Sequence, residues 1–315
     1  MKKLILIVLV LGPLFSMAQS DTTYWNKGGS VGINANQASL TNWSAGGVNS
    51  YAGGAYFYQF FDYKKESIVW TSTIDMGFGF IKEAQADAQK ADDRLVLTSQ
   101  VGKKIGSSEK WYYSGMLDFR TQFAYGYDAD APDDSDYISK FMAPGYLLAS
   151  VGVDYRPTDY FHVAIGPLAS KMTFVMDQRL ADLGSFGVEG ATLDTNGNLV
   201  EGTGNQFRGE FGATLTASFN KEIFKNTTFV SNLILFTNYL DNPEKIDVNW
   251  ENILTLKVND FLSAMVYLQT IYDYDIKFYD LDANGEQILS TETDKWQFKS
   301  IIGIGLGYTF GGTRG

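Results

Sequence analysis

The 315-residue sequence has no cysteine and a single histidine, His162. Disulfides and thiolate metal centres are therefore excluded, and a transition-metal site built from imidazoles is disfavoured. Basic residues are in deficit, 25 Lys and Arg against 36 Asp and Glu, for a net charge of −11. That balance excludes nucleic acid as the expected partner. Proline is scarce, with only six. Beyond residue 18, no apolar run approaches the roughly 20 residues that a membrane-spanning helix needs. No motif calls for an organic cofactor, so none is expected.

The chain is rich in glycine (32) and in aromatics (22 Phe, 19 Tyr, 6 Trp). Both suit an all-β protein whose strands approach closely. The last of these strands is the clearest. Between Trp296 and Phe310, the residues Trp296, Phe298, Ile302, Ile304, Leu306, Tyr308 and Phe310 share one parity. Gln297, Lys299, Gly303, Gly305, Gly307 and Thr309 share the other. Successive side chains of a strand point to opposite faces, so this segment is apolar on one side and polar or bare on the other. About 9–11 tilted residues cross a bilayer, and aromatic ends around an apolar middle are the pattern of a membrane barrel strand.

The same alternation predicts twelve strands, at 27–37, 48–62, 67–81, 93–106, 111–126, 145–156, 160–176, 207–221, 227–240, 246–258, 261–275 and 296–310. Strand 2 is ambiguous, with aromatics on both parities. In strand 7 the alternation changes phase near Gly166-Pro167, which calls for a bulge. Short connections alternate with longer ones: 38–47, 82–92, 127–144, 177–206, 241–245 and 276–295. The fold class is therefore a closed antiparallel transmembrane β-barrel of 12 strands, with short periplasmic turns and long external loops. Slightly negative mean hydropathy does not oppose this, because polar lumen residues cancel lipid-facing ones. Residues 1–18 read as a secretory signal peptide: Lys2 and Lys3, an apolar core from Leu4 to Phe15, then Ser16-Met17-Ala18. Residues 19–315 form one barrel domain in the outer membrane of a Gram-negative cell.

The inward parity carries Asp75, Arg94, Lys104, Asp118, Arg120, Asp154, Arg208, Glu210, Asp247, Glu251, Lys257 and Lys299. Buried charges must meet partners or water. Two readings follow: an ion-pair network that fills a narrow barrel, or a porin-like, water-filled channel for small solutes. Both are non-enzymatic. The alternatives are a barrel lipid or peptide hydrolase using His162, for which no triad spacing is present, and a soluble secreted β-protein. Asp280, Asp282 and Asn284 match the first half of a calcium loop, but Thr291 replaces the bidentate glutamate, and Asn-Gly is also a hairpin turn. Asp194-Thr195-Asn196-Gly197 reads the same way. Asp128, Asp130, Asp133, Asp134 and Asp136 crowd one external loop, either a solvated acidic loop or a divalent-cation site beside lipopolysaccharide phosphates.

The 38–47 loop places Asn42 and Trp43 before Gly46-Gly47, followed by Asn49-Ser50. This arrangement resembles the signature of a Bacteroidota outer-membrane family catalogued as domain of unknown function three thousand seventy-eight. Gly166 to Lys171 and Leu180 to Val188 are also similar to it, so the resemblance extends over nearly all of the mature chain. Gly305, Tyr308 and Phe310 resemble the signal read by the barrel-assembly machinery, although Gly311 to Gly315 follow the last aromatic. The resemblance implies an outer-membrane barrel in contact with membrane lipid, lipopolysaccharide and, during insertion, that machinery. It implies no activity and no catalytic residue. An outer-membrane protein partner in a larger assembly is the further expectation.

Overall fold

The computed structural model describes residues 24–38, 50–83, 87–127, 137–195, 197–281 and 287–312. Residues 1–18, expected as a leader, the motif loop with Asn42, Trp43, Gly46 and Gly47, the acidic loop at 128–136, and Asp282 and Asn284 lie outside the described residues. The strands are β1 Trp25–Ala38, β2 Ser50–Lys65, β3 Ile68–Glu83, β4 Gln89–Lys104, β5 Trp111–Thr121, β6 Gly126–Tyr127, β7 Tyr137–Ser139, β8 Gly145–Thr158 and β9 Phe161–Phe174. After the short helix α1 (Gln178–Asp182) come β10 Phe207–Phe224, β11 Thr227–Asn238, β12 Ile246–Lys257, β13 Leu262–Tyr272, β14 Lys277–Leu281, β15 Gln287–Asp294 and β16 Gln297–Gly311. Twelve of them close one antiparallel barrel in the order β1-β16-β13-β12-β11-β10-β9-β8-β5-β4-β3-β2. First and last strands pair from Gly28↔Gly311 to Asn34↔Gly305, so the sheet has no free edge.

The register sorts every strand into two faces. Outward residues of β16 are bare, Phe298 at 76% exposure and Ile302 at 70%, whereas Asp118 on the inner face of β5 is 4% exposed. Aromatics ring the outer wall at both ends. Trp25 lies against Tyr63 (5.1 Å) and Trp70 (5.7 Å), and Trp111 against Tyr155 (4.6 Å), at the short-turn end. Phe174 with Phe207 (5.3 Å) and Tyr272 with Trp296 (5.0 Å) mark the long-loop end. The short turns use residues suited to tight hairpins. Phe224 pairs with Thr227 across Lys225-Asn226, and Asn226 takes φ 62°, a conformation that asparagine tolerates.

The closing strand explains its own glycines. Register puts Gly32 of β1 opposite both Gly307 and Tyr56. A Cβ on Gly32 would lie 2.6 Å from Tyr56 Cζ, and one on Gly307 would lie 2.8 Å from its hydroxyl. The bare inner face of β1 and β16 is therefore the bed on which Tyr56 lies, with Phe60 buried against Gly28 in the same way. Strand β2 is ambiguous in sequence because both its faces are aromatic: Tyr56 and Phe60 pack inward, while Tyr51 and Phe57 point out.

Three local features depart from the simple alternation. A bulge interrupts β9, where Ala169 pairs with Gly212 but Gly166 with Thr214. This is the expected phase change at Gly166-Pro167. The fifth strand stops at Thr121 rather than 126, because the N–H groups of Phe123 and Ala124 donate to the Asp93 carboxylate (2.7 and 2.9 Å) instead of the ladder. Two external hairpins, β6–β7 and β14–β15, extend loops that strand periodicity alone leaves irregular. Asp280 lies on the backbone of β14, which pairs with β15. The Asp194 segment also turns back, with Leu193 bridging Leu199.

Candidate functional site

The inward face of the barrel carries a connected polar network at mid-height. On β5, Arg120 Nε donates to Asp118 Oδ1 (2.6 Å), and its Nη1 reaches Glu251 Oε1 on β12 (3.1 Å). Four strands separate β5 from β12 on the shorter way around the ring, so this bridge is a chord across the lumen. Asp118 also accepts from the Thr98 hydroxyl (2.7 Å), and Glu251 from Gln269 (3.3 Å) and Tyr267 (3.4 Å). A second chord runs from β4 to β13, where the Arg94 guanidinium lies 5.2 Å from the Tyr267 ring centre. Arg94 pairs with Asp75 (3.2 Å) and with Asp92, and Asp92 also takes Lys299 of β16. Four carboxylates thus meet three cations, which is how buried charge is tolerated.

Toward the long-loop end, Leu148, Ala169 and Phe236 form a buried apolar cluster with Met116 and Ile234 packed on it. Above it, Lys171 Nζ meets Asp247 (2.6 Å), Asp273 (2.7 Å) and Glu210 (3.8 Å). Arg208 pairs with Asp275 (2.7 Å) and Glu210 (3.5 Å) and donates to the Gly187 carbonyl (2.8 Å). Carboxylate oxygens of Asp247, Asp273 and Asp275 come within 4.8 Å of one another. That spacing would suit a hard divalent cation, but Lys171 and Arg208 already supply the positive charge there.

Near the short turns, Asp154 is fully buried. It receives Arg156 (2.6 Å) and Gln100 (3.1 Å), and His162 Nδ1 stands 3.3 Å from its Oδ1 without a hydrogen bond. The residue opposite His162 in the ladder is Ser218, and its hydroxyl donates to Asn232 Oδ1 (2.8 Å) rather than to the imidazole. His162 thus borders a carboxylate cluster, and among the described residues no hydroxyl is hydrogen-bonded to it.

A small cap stands at the long-loop end. Ala143, Val175, Leu180, Ala181 and Val188 bury a small apolar core, with Tyr137 and Phe186 against it. Helix α1 starts at Asp177, whose carboxylate accepts from the Leu180 N–H (3.0 Å), the Tyr137 hydroxyl (2.7 Å) and Lys140 (2.5 Å). Burial opposes the charge on Asp177, but the bonds from Lys140, Leu180 and Tyr137 outweigh it and bring the pKa down to about 2. A depressed carboxylate stabilises the fold above its unfolded pKa near 4, and that contribution fades as pH falls from about 4 to about 2. The cap is expected to loosen in that window by on the order of 2 kcal/mol. Hydrogen-exchange protection at Leu180 and Ala181, relative to the intrinsic rate at each pH, should fall there in the wild type, and Asp177→Asn should abolish that fall.

Of the residues expected to line the lumen, Asp75, Asp118, Arg120, Asp154, Arg208, Glu210, Asp247, Glu251 and Lys299 point inward and are ion-paired. Lys257 and Lys104 sit at the short-turn rim instead, paired with the exposed Asp260 (3.1 Å) and Glu109 (3.4 Å). Both follow the inward parity, but each stands at a strand end, where solvent reaches it. Lys171, Asp92, Asp273 and Asp275 are lumen or mouth residues outside the expected set. Lys171 turns inward because the β9 bulge inverts the phase, whereas Asp273 and Asp275 share the inward parity of Tyr267 and Gln269 in the expected strand 261–275, although β13 itself ends at Tyr272.

A family model described as "Protein of unknown function (DUF3078)" matches residues 35–127. This is the family that Asn42, Trp43, Gly46 and Gly47 resemble, and the matched segment ends before Gly166. No curated protein matches the chain. Among solved structures, the translocator domain of the autotransporter NalP from Neisseria meningitidis is similar at 10% identity, covering 91% of this chain and 88% of that one, with a TM-score of 0.33. OmpT, an outer-membrane protein of Vibrio cholerae, is similar at 8% identity over 94% and 100% of the two chains, TM-score 0.29. OmpF of Salmonella typhi, solved with daunomycin, matches at 10% identity over 91% and 95%, TM-score 0.24.

Proposed function

We propose that this chain is a non-enzymatic integral outer-membrane β-barrel whose lumen is held shut, serving as a structural or accessory subunit of an outer-membrane assembly rather than as an open channel. The observation that carries this reading is the Arg120–Glu251 chord, joined through Tyr267 to Arg94 and Asp75. Membrane insertion is supported by the closed sheet, the exposed apolar wall and the two aromatic rings. Short turns at the end where β1 begins and β16 ends support an orientation with the cap on the outside. A soluble barrel has no use for Ile302, Ile304 and Leu306 laid bare in a row.

Planar-bilayer recording of the refolded full chain tests the closed lumen. Wild-type protein should insert without conductance steps. Regular, voltage-stable steps from well-folded wild type would reject the occluded barrel in favour of a narrow channel. Gentle solubilisation from native membranes should bring down a stoichiometric outer-membrane partner, and a clean monomer would count against the accessory role.

A further inference from the structure

The outer wall dips between β2 and β8 into a shallow groove of about 360 Å³, whose lining includes Phe61, Ile74, Leu97, Leu117 and Leu147. Register accounts for the dip. Ser72 of β3 pairs with Ser99 of β4, so two short side chains stand side by side, flanked by Phe61 of β2 and Leu117 of β5. All four share the outward parity of Trp70 (43% exposed) and Leu97 (39%), and Leu117 itself is 52% exposed. Trp70 Nε1 donates to Ser99 Oγ (2.9 Å), and the Ser72 and Ser99 hydroxyls lie 2.9 Å apart. Only one of the two hydroxyls can donate to the other. Whichever does, the second hydroxyl hydrogen has no acceptor among the described residues.

A donor left unmet in hydrocarbon is costly, so this wall calls for an acceptor from outside the chain. Height on the barrel indicates which. Trp70 lies one outward position nearer the short turns than Ser72 and packs with Trp25 in the aromatic ring at that end. Ile74, Leu97 and Leu147 share the next outward row toward the long loops. The unmet donor therefore sits between the aromatic ring, which marks the bilayer interface, and an apolar groove leading toward mid-bilayer. An acyl ester matches both sides, with a carbonyl acceptor at the interface and a hydrocarbon chain directed inward. A neighbouring protein's membrane-spanning helix or strand fits less well, because its backbone carbonyls are already hydrogen-bonded.

We propose that this groove holds one acyl chain of a diacyl phospholipid from the leaflet at the short-turn end, its ester carbonyl accepting a hydrogen bond from the Ser72 and Ser99 hydroxyl pair. This inference rests on the membrane-spanning reading above.

The test uses the refolded full chain in liposomes, the variant S72A/S99A, which removes both donors, and L97F, which fills the groove and leaves the hydroxyls. Flotation with the liposomes reports insertion, and heat-dependent gel migration reports folding. Wild type that does not float would overturn the membrane reading and the lipid site together, whereas a floating protein without lipid preference would overturn the site alone. Native mass spectrometry then measures retention of the last bound lipid, using diester phosphatidylethanolamine and its diether analogue, which has the same chains and headgroup but no ester carbonyl. The wild type should hold the diester about fivefold more tightly, the increment expected of one hydrogen bond. S72A/S99A should lose that preference, and L97F should lose the tightly held lipid of either kind. Equal retention of diester and diether by the wild type, a preference that survives in S72A/S99A, or undiminished retention by L97F would each overturn the site. The wild-type comparison needs no variant, so a misfolded double mutant leaves the test standing.

Discussion

Arg120→Met lowers the unfolding free energy of the barrel by about 3–5 kcal/mol, the cost of breaking a buried charge network by removing one partner. Arg120 holds two carboxylates at once, Asp118 at 2.6 Å and Glu251 at 3.1 Å, and both are largely shielded from solvent. Methionine keeps most of the volume and removes the charge, so packing loss contributes little. Asp118 retains the Thr98 hydroxyl, and Glu251 retains Gln269 and Tyr267, but among the described residues neither is ion-paired with another cation. Replacing all three members, Arg120→Met with Asp118→Leu and Glu251→Leu, should recover most of the loss, because an apolar trio needs no counter-charge. Urea unfolding of the refolded protein in detergent measures the series. A single-variant loss under about 1 kcal/mol, or a triple variant no better than the single, would show that the chord does not hold the barrel.

The second large effect is at the outer mouth. Lys171→Met removes the cation shared by Asp247, Asp273 and Glu210, leaving Arg208 as the remaining base of that cluster. A destabilisation of about 3–5 kcal/mol is again expected, concentrated at the end where the cap sits. This variant also acquires a property of its own. The carboxylates of Asp247, Asp273 and Asp275 stay within 4.8 Å of one another and face a position without its ammonium. Calcium should then raise the melting temperature of Lys171→Met well beyond any shift it causes in the wild type, since oxygen ligands at this spacing suit that ion. Equal calcium shifts in the two proteins would mean that Lys171 does not occupy the charge centre of the cluster.

These two sites differ in how visible they are in the sequence. Asp118 and Arg120 declare their face, because β5 alternates without interruption from Trp111 to Thr121. Lys171 does not, because the bulge at Gly166–Leu168 inserts a residue and turns the outer half of β9 over. The proline announces the bulge, and only the pairing with β8 and β10 shows which residues it turns inward. Asp273 and Asp275 fall on the inward parity of Tyr267 and Gln269 within the expected strand 261–275, but β13 ends at Tyr272, so only the structure shows that they meet Lys171 and Arg208. The cap is of the same kind. Asp177 three residues before Leu180 is a readable helix start, but nothing local says that Tyr137 and Lys140 from another loop will meet it.

By itself the sequence determined the strand count, the strand positions, the faces of most strands and the alternation of short with long connections. These are local properties: a period of two, a turn residue or an aromatic end is written within ten or fifteen neighbours. What only the tertiary structure decided is which charges meet across the lumen. Arg120 and Glu251 are 131 residues apart, and their meeting depends on the closure of twelve strands in one register. The free energy of a buried charge depends on what lies across the lumen from it, and that partner is chosen by the curvature of the whole sheet.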